Sequence, residues 1–219
     1  MEDKVEDAQL KGILESLIFV SESPLTLDRM KEVLGVQKRD LQRLLSEMME
    51  EYRRTDRGFL LTEVAEGFQF RTRPEHSAWI KKLKKVKTTA LSQPALETLA
   101  IVAYRQPVVR MDIEKVRGVD SGGVLHTLLE KKLIKIIGKK DVPGKPLVYG
   151  TSRKFLEVFG LKDLSELPTL KDLEGLGPPS AEGILPLEEE KAGEEGTKSE
   201  EDQEALIDEL SSEAPKDTL

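Results

Sequence analysis

The chain has 219 residues, no cysteine and a formal charge of −7 at pH 7, which excludes disulfide frameworks and thiolate metal sites and suits a reducing cytosol. No apolar run approaches the roughly 18 residues that cross a bilayer, and MEDKVEDAQLK lacks the apolar core of a secretory leader, so a cytoplasmic protein with no membrane segment is expected. The charge is unevenly spread: Met1–Ala78 holds 12 basic and 16 acidic residues, Trp79–Gly160 holds 17 and 7, and Gly175–Leu219 holds 3 and 14. A polyanionic partner would therefore approach the middle of the chain.

In chain order, Leu10, Ile13, Leu14, Leu17 and Ile18 recur at helical spacing and predict a first helix. Thr26 is a suitable N-cap for a short second helix that Gly35 closes. A third helix carries Leu41, Leu44, Leu45, Met48, Met49 and Tyr52 on one face. FLLTEVA and FQFRT flank Glu66-Gly67 and predict a β-hairpin. HSAWIKKLKKVK predicts a basic connecting helix. Ser92 then caps PALETLAIVAY, with Pro94 tolerated in the first turn. Two further helices follow, then LIKIIG and PLVYG around Pro143-Gly144, and RKFLEVFG as a last packed helix. Beyond Gly175 the chain is too polar to bury a core and is expected to be disordered; only EALIDEL (Glu204–Leu210) keeps a faint helical stripe.

The two halves repeat. At an offset of 83 residues, IFVSESPLTLDRMKEVLGVQKRDLQRLL lies over IVAYRQPVVRMDIEKVRGVDSGGVLHTLL. Pro24 meets Pro107, Met30 meets Ile113, Val33 meets Val116, Gly35 meets Gly118, Val36 meets Val119, Leu41 meets Val124 and Leu45 meets Leu128. The proline ends a helix and stiffens a turn, the glycine permits a left-handed stop, and the apolar positions are expected to face inward. The predicted fold class is mainly α with small β-hairpin wings (α+β). It comprises a first winged-helix domain over 1–78, a basic connecting helix over 79–91, a second winged-helix domain over 92–174 and an acidic tail over 175–219.

Nothing in the pattern supports catalysis, a metal or a cofactor. His76 and His126 lie in different repeats without zinc-site spacing, and Gly122-Gly123 fits no phosphate loop. The second repeat's third helix opens Ser121, Gly122, Gly123 and continues to His126 and Thr127, none of them an arginine, asparagine or glutamine that reads a base edge bidentately. Lys81, Lys82, Lys84, Lys85 and Lys87, with Lys131, Lys132, Lys135, Lys139 and Lys140, could still hold phosphates weakly and without sequence preference. The other use of such a domain is as a protein-docking block. Tyr104, Val108, Val109, Val148 and Tyr149 are then candidate anchors, with core membership as the competing role.

The run LSQPALETLAIVAYRQPVVRMDIEKVRGVDSGGVLHTLLEKKLI, with KKDVPGKPLVYGTSRKFLEVFGLKDLSELPTL and ILESLIFVSESPLTL, resembles the segregation and condensation protein B family over Leu10 to Leu170. That resemblance implies a non-catalytic subunit with two winged-helix domains and no cofactor. It implies homodimerisation through the first domain and binding to the kleisin, segregation and condensation protein A, which bridges SMC ATPase heads. The assembly would act at the nucleoid in chromosome condensation and partition during cell division. By position, Tyr104, Arg105, Gln106, Gly122, Gly123 and Tyr149 are the candidates for kleisin docking, and Leu10, Leu14 and Leu17 for self-association. The alternative is a nucleoid-associated DNA-binding protein of the same fold.

Overall fold

The computed structural model describes residues 6–84 and 91–169. The expected acidic tail, and Lys85 and Lys87 of the basic helix, lie outside the described residues. The described chain is mostly helical with small antiparallel sheets. It forms two compact units, one made of 6–84 with 159–169 and the other of 91–158.

In the first unit, α1 (Asp7–Val20) buries Leu10, Leu14 and Ile18, one turn apart along one face. Thr26 accepts a hydrogen bond from the Arg29 amide at 3.3 Å and so starts α2 (Leu27–Leu34), which ends on Gly35 at φ +67. The longest helix, α3 (Lys38–Arg54), buries Leu41, Leu44, Leu45, Met48 and Tyr52. These pack with Met30, Leu61 and Phe68 into one core. Leu14 and Leu41 are fully enclosed, each stabilising the unit by about 2 kcal/mol through area removed from water. Two strands, β1 (Phe59–Val64) and β2 (Gly67–Thr72), form an antiparallel hairpin. Its two-residue turn is Ala65-Glu66, both at positive φ, so Gly67 opens β2 and the glycine is not a turn residue. Gly67 serves close approach instead: a Cβ there would lie 2.9 Å from the Pro24 carbonyl carbon, where Leu25 forms a bridge with Phe68. A single 3-10 turn (Pro74–His76) leads into α4 (Ser77–Lys84).

The second unit repeats this order. Ser92 accepts from the Ala95 amide at 3.4 Å and starts α5 (Gln93–Arg105). The two-residue strand β3 (Val108–Val109) leads into α6 (Arg110–Arg117), which ends on Gly118 at φ +72. After α7 (Gly122–Glu130) come β4 (Ile134–Lys139) and β5 (Leu147–Thr151), in a sheet ordered β3-β5-β4. Ser152 accepts from the Phe155 amide at 3.2 Å and starts α8 (Arg153–Phe159), whose Phe155 and Leu156 are buried.

The 83-residue offset relates α2 to α6 end for end, and Leu25 to Val108 in the bridging strand. It does not extend into the first helices. There the buried faces are Leu10, Leu14 and Ile18 against Ala95, Leu99 and Ala103, two residues further along, because α1 is joined to its strand by a longer link. Three of the matched valines also depart from the inward expectation. Val33 and Val116 are 53% and 45% exposed, on the solvent side of their short helices, and Val119, just past Gly118, is 56% exposed.

Residues 159–169, which the sequence reading joins to the second repeat, group with the first unit. The Leu161 and Lys162 carbonyls accept hydrogen bonds from the Ala65 and Glu66 amides at 2.8 and 2.9 Å. Lys162 also pairs with Glu63 at 3.2 Å. The Ala65 and Glu66 amide donors of the hairpin turn are thus satisfied by a chain segment far along the sequence.

Candidate docking surface

The six positions proposed for partner binding occupy the end of α5, the sheet and the start of α7. Tyr104 is 44% exposed and Arg105 is exposed at the last turn of α5. Gln106 turns inward. Its amide oxygen accepts from the Thr151 amide at 2.8 Å and from the Thr151 hydroxyl at 3.1 Å, and its amide nitrogen donates to the Ala103 carbonyl at 3.1 Å. It is a clamp between α5 and β5, and a Cβ on Gly150 would sit 2.9 Å from its oxygen.

Tyr149 is 5% exposed. It lies on the central strand, flanked by Val108 on β3 and Ile136 on β4, which commits it to the core. Burial holds its phenol above the ordinary tyrosine range, with nearby Arg110 pulling in the opposite direction. Val108 and Val109 are buried as well, and Val148 is half-buried. For the valines of β3 and for Tyr149, the competing core role is the observed one.

Arg110, which the sequence reading did not single out, organises the start of α7. Its Nε donates to Glu114 at 2.6 Å, and its terminal nitrogen donates to Asp120. Both carboxylates keep the guanidinium charged, Glu114 foremost. Asp120 accepts from the Gly122 amide at 3.1 Å, and Glu114 accepts from the Ser121 amide at 3.2 Å. The guanidinium lies so close to Gly122 that a Cβ there would meet it at 2.8 Å. The small residue at 122 therefore admits this chain's own arginine and not a foreign backbone. Gly123 differs: it is exposed, and a Cβ would meet nothing within 4 Å. The one signal for Arg110 in the sequence was its i,i+4 spacing to Glu114.

Further along α7, His126 is mostly packed. Its Nδ1 lies 3.5 Å from Glu130, and its Nε2 has no hydrogen-bond partner among the described residues. The three leucines proposed for self-association divide. Leu10 and Leu14 belong to the first unit's own core, so their surface is already spent on internal packing; only Leu17 is partly exposed. The freely exposed apolar residues of α1 are Phe19 and Val20 at its end. Among the described residues no cluster of three His, Asp or Glu could hold a metal ion, and no helix is long and apolar enough to cross a membrane.

Residues 12–170 match the family model described as segregation and condensation complex subunit ScpB. A segregation and condensation protein B from Syntrophotalea carbinolica is 52% identical over 77% of this chain and 85% of its own. One from Moorella thermoacetica is 48% identical over 75% and 84%. A solved dimer of an ScpB N-terminal domain complexed with an ScpA peptide is 31% identical, covering 35% of this chain and 95% of that one, at a TM-score of 0.33.

Proposed function

This chain belongs to the family of the segregation and condensation complex subunit ScpB, and from that premise we propose that it is a non-catalytic scaffold of an SMC–kleisin complex. In this reading each unit is a winged helix, with the β1–β2 and β4–β5 hairpins as wings. The second binds the kleisin ScpA, and the first pairs two copies of the chain. The complex condenses and partitions the chromosome at the nucleoid.

One observation supports polypeptide docking over base reading. The helix that would enter a major groove begins with two glycines, and Arg110 beside its start is held by Glu114 and Asp120. A guanidinium whose Nε and one terminal nitrogen already donate to carboxylates has fewer donors left for a base edge or a phosphate. The side chains left on the surface from the candidate set are Tyr104 and Arg105, with open space above Gly123. Tyrosine and arginine are the residue types that most often anchor a protein interface. For self-association the remaining candidates on α1 are Leu17, with Phe19 and Val20 beyond it.

A second reading rests on the wing of the second unit, where Lys135, Lys139 and Lys140 are exposed, with Lys132 exposed in the turn before it. These can hold phosphates weakly, with an affinity that falls steeply with salt. Copurification from the native host tests the leading reading. ScpA recovered with the tagged chain, and no duplex retained near physiological salt, is the expected result. Recovery of DNA without ScpA would contradict it.

A further inference from the structure

Helix α4 carries an apolar face that the first unit leaves open. Trp79 is 68% exposed and Leu83 is 84% exposed, four residues apart and so on one side of the helix, with Ile80 half-buried beside them. The principal packing of α4 is with the 3-10 turn that precedes it, and Trp79 makes an edge contact with His76 at 6.3 Å between ring centres. Between the apolar positions stand the exposed Lys81 and Lys82. The surface therefore reads apolar, apolar, basic, basic, apolar: Trp79-Ile80-Lys81-Lys82-Leu83.

The same order with the opposite charge occurs once in the acidic end of the chain, as Leu206-Ile207-Asp208-Glu209-Leu210. Wound as a helix, Leu206, Ile207 and Leu210 would share one face at the spacing of Trp79, Ile80 and Leu83. Such a segment set against α4 would cover the exposed indole, with Glu209 flanking one apolar face and Lys82 flanking the other, placed to pair at the edge of the seam. Reach is not a constraint. The last described residue, Thr169, belongs to the same unit as α4. The 36 residues from 170 to 205 can extend to roughly 120 Å.

We propose that Leu206–Leu210 docks on the Trp79–Leu83 face of its own chain, where the acidic tail neutralises the basic helix and withdraws it from other polyanions. Tethering raises the local concentration of the segment, so a modest apolar and ionic match suffices. A nucleic acid or an acidic protein reaching for Lys81 and Lys82 must first displace it.

Trp79 is the only tryptophan in the chain, so its fluorescence reports on this face directly. The experiment measures acrylamide quenching in the full chain, in a Leu206→Glu/Leu210→Glu variant and in an Asp208→Lys/Glu209→Lys variant. These changes lie outside the described units, so both units keep their own core residues. Quenching is expected to rise by about twofold in either variant as the large indole surface returns to water. It should fall back when Lys81→Glu/Lys82→Glu is added to the Asp208→Lys/Glu209→Lys chain, because the charges are again opposite. The protection should also persist over about a hundredfold dilution, as an intramolecular contact must. Equal quenching in all chains, or no recovery on charge exchange, would overturn the proposal. Protection that vanishes on dilution would place a second copy's segment there and overturn it equally.

Discussion

The guanidinium of Arg110 occupies the space where a side chain at Gly122 would begin, its Nη1 lying 2.8 Å from the position of a Cβ there. This pairing ties the first turn of α6 to the first turn of α7 and settles why the helix starts with a glycine. Gly122→Ala should push the guanidinium off Asp120. Because that group ends a flexible, half-exposed side chain, the cost should stay within about 1 kcal/mol. In an Arg110→Ala background the same change should be neutral or stabilising. Denaturant unfolding of the four chains of this double-mutant cycle measures the coupling.

Gly123 is the sharper probe of the surface, because a Cβ added there meets nothing of the protein within 4 Å. Gly123→Trp should leave the unfolding midpoint almost unchanged and lower ScpA affinity about tenfold or more, by filling the space a partner would use. Calorimetric titration checks it. An unaltered affinity would remove this face from the proposed interface.

Arg117 gives the clearest stability prediction in the second unit. Its guanidinium is nearly enclosed and donates to the Pro94 carbonyl at 2.6 Å and to the Thr98 hydroxyl at 2.7 Å, with Glu97 at 3.3 Å. Arg117→Met fills similar volume but leaves both acceptors short of a donor. Loss of about 2 kcal/mol is expected in chemical denaturation.

The hairpin turn of the first unit predicts a change in the opposite direction. Glu66 sits at φ +58, a conformation that costs an L residue roughly 1 kcal/mol and a glycine almost nothing. Glu66→Gly should raise the urea midpoint without changing the slope. In a chain ending at Val158, the Ala65 and Glu66 amides lose the Leu161 and Lys162 carbonyls. Their hydrogen exchange should accelerate while that of α3 does not.

The alkaline limb of the stability curve should depend on Tyr149. Burial raises its phenol pKa in the folded state, so the fold holds that proton more tightly than the unfolded chain does. The associated stability is whole below the ordinary tyrosine value near about pH 10. It is lost as the pH rises through the folded value. Tyr149→Phe should match the parent at neutral pH and decline less steeply above it. Tyr52, also raised by burial, keeps some of the slope. Stability followed against pH in both chains decides it.

Much of this fold was legible because its signals are local. Thr26 and Ser92 cap helices wherever they stand before an apolar periodic run, and Gly35 and Gly118 both close short helices in the left-handed conformation. The core face of α3 followed from spacing alone. What was not legible depends on tertiary placement. Leu10 and Leu14 look the same in sequence whether they meet a second copy or α3, and they meet the first unit's core. Tyr149 became a core residue because β5 is the middle strand, an order no pattern in PLVYG reveals. The return of residues 161–162 to the turn at Ala65-Glu66 is made by backbone groups, which carry no side-chain signature. Arg110 over Gly122 joins two residues whose contact exists only once α6 and α7 are packed.

The central claim is that the second unit clasps a polypeptide and not a duplex. Its most direct measurement is a pair of calorimetric titrations of the full chain at near-physiological salt, one with ScpA and one with random-sequence duplex DNA. Micromolar or tighter ScpA binding with no measurable heat from the duplex is the expected result. Silence with ScpA and a saturable, salt-resistant DNA isotherm would contradict it.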